Sequence, residues 1–241
     1  MSLVLPTFAG FAQPAGSSFS NDYSISVDGS DDYLDCGDDS SLNVANLTIS
    51  LWFKSSGATY PYNYILTKYG GYYGTIHLRY TTAGKFNFFI GFGAFGAHVQ
   101  SDFDTAFTLT DWHHVALTYD GSHIKGYVDG SEDFSVAETR SIYYTSDGDG
   151  QALHIGKGKY ANPAEGLIDE VSWFGSALSA SDITAMYNSG VPTDISSLNP
   201  VSWWRMGDND GGTGTTVTDE GSGGNDGTLT NGPTFSSTVP S

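Results

Sequence analysis

The chain has 241 residues, enough for one large β-sandwich or two small domains. Nine Lys and Arg stand against 27 Asp and Glu, a formal net charge of −18, and a field of that sign repels phosphates, which excludes nucleic acid and an anionic membrane surface as partners. A single cysteine, Cys36, excludes an internal disulfide, and no apolar run approaches the length of a membrane span.

Residues 1–22 carry Leu3, Leu5, Phe8, Phe11 and Phe19 among Pro, Gly and Ser. That is more apolar surface than a flexible tail needs, so an arm packed on its own domain or on a neighbouring subunit is expected. The opening lacks a basic region and has Pro6 inside its apolar run, which does not match a signal peptide. The expectation is a chain made in a cytoplasm and then carried on a virion or released to the outside. Residues 23–27 and 33–36 read as strands around the acidic turn Asp28-Gly29-Ser30-Asp31-Asp32. Residues 47–54 alternate Leu47, Ile49, Leu51 and Phe53 against Thr48, Ser50, Trp52 and Lys54, the period of a strand. Six tyrosines follow within residues 60–73. Residues 76–80 and 86–92 read as a hairpin closed by Thr82-Ala83-Gly84, with Phe86, Phe88, Ile90 and Phe92 on one face.

Residues 111–130, DWHHVALTYDGSHIKGYVDG, read as two strands joined by Asp120-Gly121, a pair that accepts the positive backbone angles of a hairpin turn. Val115, Leu117 and Tyr119 form one row, and Ile124, Gly126 and Val128 another. A hairpin of this kind needs a second sheet over its apolar row. Residues 153–156 and 167–174 read as further strands. A helix is predicted over 180–188: Ser179 is a good N-cap, Asp182 sits at the positive end, Ile183, Met186 and Tyr187 share a face, and Gly190 and Pro192 end it. In residues 201–230 the adjacent Trp203 and Trp204 are too much apolar area to leave wet, so this segment is expected to add a strand to the sandwich.

Four blocks, SISVDGSDDYLDCG (24–37), LTISLWFK (47–54), WHHVALTYDGSHIKGYVDG (112–130) and GLIDEVSWFGSALSASDITAMYNSG (166–190), resemble in order the laminin G-like and pentraxin-like jelly rolls of the concanavalin A-like group, over about residues 23–190. The resemblance implies an all-β, two-sheet antiparallel jelly-roll sandwich with one short helix. The pattern of 201–230 resembles the opening of these jelly rolls, which usually precedes the DGSDDY block. Here it follows the helix, as in a permuted chain or at the start of a truncated second module. The chain accordingly divides into an arm (1–22), a jelly-roll domain (23–200) and a C-terminal strand segment with a Gly/Ser/Thr-rich tail (201–241) that packs on the same domain or a neighbour.

The acidic turn raises the question of a metal. Asp28, Asp31, Asp32, Asp35, Asp38 and Asp39 crowd into twelve positions, and hard oxygen ligands favour calcium over zinc. An EF-hand starting at Asp208 fails because Thr213 occupies the glycine position. The resemblance implies a structural calcium joining the first-strand loop to the Gly-Leu-Ile-Asp strand, which gives Asp28, Asp32 and Asp169 as ligands; a solvated acidic turn is the alternative. For organic ligands, Tyr60, Tyr62, Tyr64, Tyr69, Tyr72 and Tyr73 can form a platform of rigid contact area and hydroxyls, or serve as core and strand filler. Phe92, Phe95 and His98 form a second candidate.

Catalysis finds no such pattern. Related glucanases carry a Glu-x-Asp-x-Glu-like spacing that Glu165-Gly166-Leu167-Ile168-Asp169-Glu170 does not match, and adjacent acids on a regular strand point to opposite faces. The same divergence is expected of His113 and His114. There is no Gly-x-Ser-x-Gly elbow, His-Glu-x-x-His pair or phosphate loop. The expectation is a non-catalytic binding, adhesion or surface-decoration module, preferably a structural component of a bacteriophage virion, with subunits, other particle proteins or a glycan as partners. The alternatives are a secreted or cell-surface carbohydrate-binding lectin and, third, a glycoside hydrolase.

Overall fold

The structure, a computed structural model, describes residues 19–68, 75–94, 96–108, 110–144, 152–158 and 162–241. The period-two runs become strands: β1 (Ser24–Asp28), β2 (Tyr33–Asp35), β3 (Leu47–Ser55), β4 (Asn63–Lys68), β5 (Ile76–Tyr80), β6 (Lys85–Gly91), β7 (His98–Ala106), β8 (His113–Tyr119), β9 (His123–Val128), β10 (Ser131–Ala137), β11 (Leu153–Ile155), β12 (Glu165–Phe174), β13 (Ser202–Trp204), β14 (Thr216–Val217), β15 (Gly227–Thr230) and β16 (Thr234–Ser236), with one helix, α1 (Ala180–Tyr187). They pair antiparallel into two sheets. The first runs β10-β9-β8-β3-β12-β1-β16, with β13 also on β12; the second runs β14-β15-β2-β11-β4-β5-β6-β7. This is the two-sheet jelly-roll sandwich.

Each sheet turns one row of side chains inward. Ile49, Leu51 and Phe53 of β3, Val115, Leu117 and Tyr119 of β8, and Ile124 and Val128 of β9 meet Ile76, Leu78, Phe86, Phe88 and Ile90 from the opposite sheet. Burying each such side chain contributes about 1.5–3 kcal/mol. Gly126 faces inward because the Phe134 ring needs its space: a Cβ there would lie 2.0 Å from the ring, which stacks on Phe88 at 5.0 Å.

Helix α1 begins with a reciprocal cap. Ser179 Oγ accepts from the Asp182 N–H, and Asp182 Oδ2 accepts from the Ser179 N–H. Its left-handed exit comes earlier than Gly190, at Asn188 with φ 43° and Ser189 with φ 59°. Ile183 and Met186 pack on Ala116, Tyr127, Phe174, Ile195 and Trp203, on the outer face of the first sheet. That sheet is therefore covered on both sides.

Strand β12 contains a bulge that the sequence pattern conceals. Ile168 faces the core, and so do Val171 and Trp173; the inward row changes phase between them. Register with β3 breaks between Asp169 and Ser172, and Glu170 adopts φ 47°. Asp169 and Glu170 therefore do not diverge as adjacent strand residues should. Both are buried, at 0% and 6% exposure.

The C-terminal 41 residues complete this same sandwich. β13 pairs with β12, β16 with β1, and β15 with β2. Trp204, Met206 and Val217 join the main core, and Trp203 joins the cluster under α1. Asp219 pins the intervening loop by accepting from the Trp203, Gly221 and Asn225 N–H groups at 2.7–2.8 Å. Trp203, Trp204, Met206 and Val217 of this segment are thus buried within the chain. Of the N-terminal arm, residues 1–18 lie outside the described residues, and Phe19–Tyr23 packs on its own domain: Phe19 stacks on Trp203, and the Asp22 and Tyr23 N–H groups both donate to Asp208 Oδ1.

Candidate ligand-binding face

On the outer face of the second sheet a polar and aromatic row packs closely: Arg79, Asn87, His77 and Phe89 are buried, Tyr62 and Tyr64 half-buried, and Gln100 and Asp102 exposed. Strand alternation sends Tyr64, His77, Arg79, Asn87, Phe89, Gln100 and Asp102 outward, and register aligns them. Tyr64 lies opposite Arg79, Arg79 opposite Asn87, and Asn87 opposite Asp102, a row across four strands. His77, Phe89 and Gln100 form the adjacent row.

The first row is joined by hydrogen bonds. Arg79 Nε and Nη2 donate to Asn87 Oδ1 at 3.0 and 2.5 Å, and Asn87 Nδ2 donates to Asp102 Oδ1 at 2.6 Å. These two contacts fix which way the Asn87 amide points. The Arg79 guanidinium lies 4.5 Å from the Tyr62 ring centroid and 5.3 Å from that of Tyr64. Gln100 Nε2 donates to Tyr62 Oη at 3.3 Å. In the second row Tyr64 meets His77 edge-on, His77 stacks on Phe89, and Phe89 stacks on His98. Burial, with Arg79 and His98 nearby, drives the His77 pKa down to about 3, so this ring stays neutral. The result is a rigid strip of rings and amides, with Tyr62 and Tyr64 half-buried and Gln100 and Asp102 exposed.

Only part of the predicted tyrosine platform falls here. Tyr62 and Tyr64 do. Tyr60 forms the preceding turn, its N–H and carbonyl both engaged by the Asn63 side chain. Tyr69, Tyr72 and Tyr73 lie outside the described residues, as does Phe95. Phe92 is core, packed on Tyr119, whereas His98 belongs to the strip. Arg79, Asn87, Gln100 and Asp102 were missed. Their signal was present: opposite the apolar row IHLRY places His77 and Arg79, and KFNFFIG places Lys85, Asn87 and Phe89.

The acidic turn brings three carboxylates together. One oxygen each of Asp28, Asp31 and Asp32 lies within 4.8 Å of the others. Desolvation, then the Asp28 charge and to a lesser degree Asp31, raise the pKa of Asp32. Asp169 is not brought to this loop. Register places Glu165 opposite Asp28, and Asp169 lies four residues further along β12, roughly 13 Å. It accepts instead from Asn21 Nδ2 at 3.0 Å and sits beside Glu170. Glu170 in turn accepts from Trp203 Nε1 at 2.5 Å and Arg205 Nε at 3.2 Å. The paired histidines diverge: His113 Nδ1 meets Asp129 Oδ2 at 2.8 Å, and His114 Nε2 meets Ser50 Oγ at 2.7 Å.

The described residues thus form a jelly-roll sandwich with an aromatic and polar strip on the outer face of its second sheet. Residues 28–184 match the concanavalin A-like lectin/glucanases superfamily, and the chain belongs to it. Among solved structures, a protein from Bacteroides ovatus assigned as carbohydrate binding superposes with a TM-score of 0.66 at 19% identity; the match covers 92% of this chain but 62% of that protein's length. The CBM40 module of the Ruminococcus gnavus IT-sialidase, bound to α2,3-sialyllactose, gives 0.58 at 17% identity over 68% of this chain and 96% of the module. A heptameric SAP-like pentraxin from Limulus polyphemus gives 0.52 at 15% identity over 69% and 82%. No curated protein matches the sequence.

Proposed function

We propose that this chain is a non-catalytic glycan-binding module that binds through the outer face of its second sheet. The observation that carries this reading is the accessible part of the row, the half-buried Tyr62 and Tyr64 rings with the exposed Gln100 and Asp102, whose positions are fixed by the buried Arg79 and Asn87. Rigid rings cover the apolar faces of a sugar, and fixed amides and carboxylates pair with its hydroxyls. The sialyllactose bound to one fold neighbour and the carbohydrate-binding assignment of another support the reading. A hydrolytic role is disfavoured because Asp169 is fully buried, while glycosidase acids must flank an accessible bond. Glycan-array screening followed by calorimetry tests this. Tyr62→Ala and Tyr64→Ala are each expected to weaken binding by roughly tenfold or more with the fold intact, as loss of a Tyr anchor does. Affinity unchanged in both variants would move the site elsewhere.

A structural calcium at Asp28, Asp31 and Asp32 is proposed alongside. The three oxygens fit a hard divalent cation, which would relieve their repulsion. Calcium at a hundredfold excess over its Kd is expected to stabilise the fold by about 2.7 kcal/mol, with Asp32→Asn removing the effect. A melting temperature indifferent to both calcium and chelator would leave a solvated turn.

A further inference from the structure

We infer that the sheet face selects uncharged glycans and discriminates against sialylated and uronate-bearing ones, a specificity that rests on the glycan-binding reading above. The cation at the centre of the strip is committed elsewhere. Recognition of a carboxylate by arginine uses two parallel N–H groups of the guanidinium fork. In Arg79 the Nε and Nη2 groups both donate to Asn87 Oδ1, Nη1 reaches Tyr64 Oη at 3.4 Å, and the residue is 4% exposed. At the end of the strip, Lys85 Nζ is turned to the Asp104 carbonyl at 2.8 Å.

The exposed charge bordering the row is negative. Asp102 is held against Asn87 Nδ2, with its carboxylate at the surface of β7. A ligand carboxylate docking on the accessible Tyr62, Tyr64 and Gln100 would meet the Asp102 carboxylate as a like charge, within a chain of net charge −18. Sugar hydroxyls meet the opposite situation, because Asp102 accepts hydrogen bonds and Tyr62, Tyr64 and Gln100 supply ring faces and an amide. The strip is thus equipped for hydroxyls and against acids. In this it departs from the fold neighbour whose structure holds sialyllactose.

Matched ligand pairs test the inference on the unmodified protein: lactose against 3′-sialyllactose, and galactan against polygalacturonate, within a broad array of neutral and acidic glycans. Binding is read by calorimetry or affinity electrophoresis at 50 mM and 500 mM NaCl. The expected result is a preference of about tenfold or more for the neutral member, with neutral binding unchanged by salt. Asp102→Asn, an exposed change checked for folding by circular dichroism, is expected to narrow that preference. Tighter, salt-sensitive binding of the acidic members would overturn the charge selection while leaving the glycan reading standing. Binding to neither class across the array would overturn the glycan reading itself.

Discussion

Arg205→Met is expected to destabilise the fold by about 3–5 kcal/mol, the size that follows when a buried charge loses its partner. Arg205 follows directly on β13 and lies at a junction of three distant stretches. Its Nε donates to Glu170 of β12, Nη2 donates to Asp208 at 2.8 Å and to the Ser20 carbonyl, and Nη1 reaches Asn209 Oδ1 at 3.3 Å. Its guanidinium also lies over the rings of Phe19 and Trp203. Methionine keeps much of the bulk and removes the charge. Glu170 would then be buried without its cation, and Asp208, whose pKa burial already raises, would lose its compensation. Urea unfolding at pH 7 measures the cost. Limited proteolysis should show the N-terminal stretch Phe19–Tyr23 released at the same time, since Asp208 holds its backbone. Adding Glu170→Gln to Arg205→Met should recover part of the loss, because a buried carboxyl without Arg205 must either carry an uncompensated charge or take up a proton, and the amide does neither. A cost below 1 kcal/mol would mean that the cluster relaxes into water.

Asp169→Asn is expected to stabilise the protein at pH 8, by on the order of 1.4 kcal/mol for each unit of pKa shift it abolishes. Desolvation, followed by repulsion from Glu170, raises the Asp169 pKa well above the ordinary carboxylate range. Desolvation also pushes Glu170 up to about 7, against the opposing pull of Arg205. Both acids are ionised in the unfolded chain above about pH 4.5, whereas in the folded one each keeps its proton to higher pH, Glu170 to about pH 7. Folding therefore takes up protons, and stability is lost as pH rises through the folded pKa values.

Three histidines act in the opposite direction at lower pH. Burial holds His77 down at about 3 and His114 and His154 at about 4, so they add stability as pH rises from about 4 to 6.5 and nothing beyond. Desolvation is the largest single influence on His113 and lowers its pKa, but the Asp129 hydrogen bond and charge, with Thr108 and Asp111, together raise it, and its contribution falls over the upper range. Thermal unfolding across pH 5–8.5 should pass through a maximum near about 6.5 and decline above it. Asp169→Asn should flatten that decline. A variant whose melting temperature falls equally at pH 5 and pH 8 would show that Asp169 acts through its hydrogen bond to Asn21 and not through its charge.

Much of the scaffold could be read from neighbouring residues alone. The β8–β9 hairpin follows from two alternating rows around Asp120-Gly121, and Gly121 takes φ 86°. Helix α1 follows from the Ser179 and Asp182 cap and the Ile183 and Met186 face. These features are local: hydrophobic period and turn chemistry act within a few residues, and burial of one row decides the face. Composition likewise determined the charge that bears on ligand choice.

What the tertiary structure decided was every juxtaposition across strands. The calcium set was read with Asp169 beside Asp28, but β1–β12 register puts Glu165 there. Asp169 and Glu170 were read as diverging, but the bulge at Glu170, with its left-handed φ, turns both into one buried cluster. A one-residue shift in phase moves a side chain to the other face, and nothing in the residues around Asp169 marks where it falls. The tyrosine run showed aromatic density but not its partners. Arg79, Asn87 and Asp102 fall in one row with Tyr64 only because four strands align in register, and that alignment is set by the packing of the whole sandwich, not by any one segment of the chain.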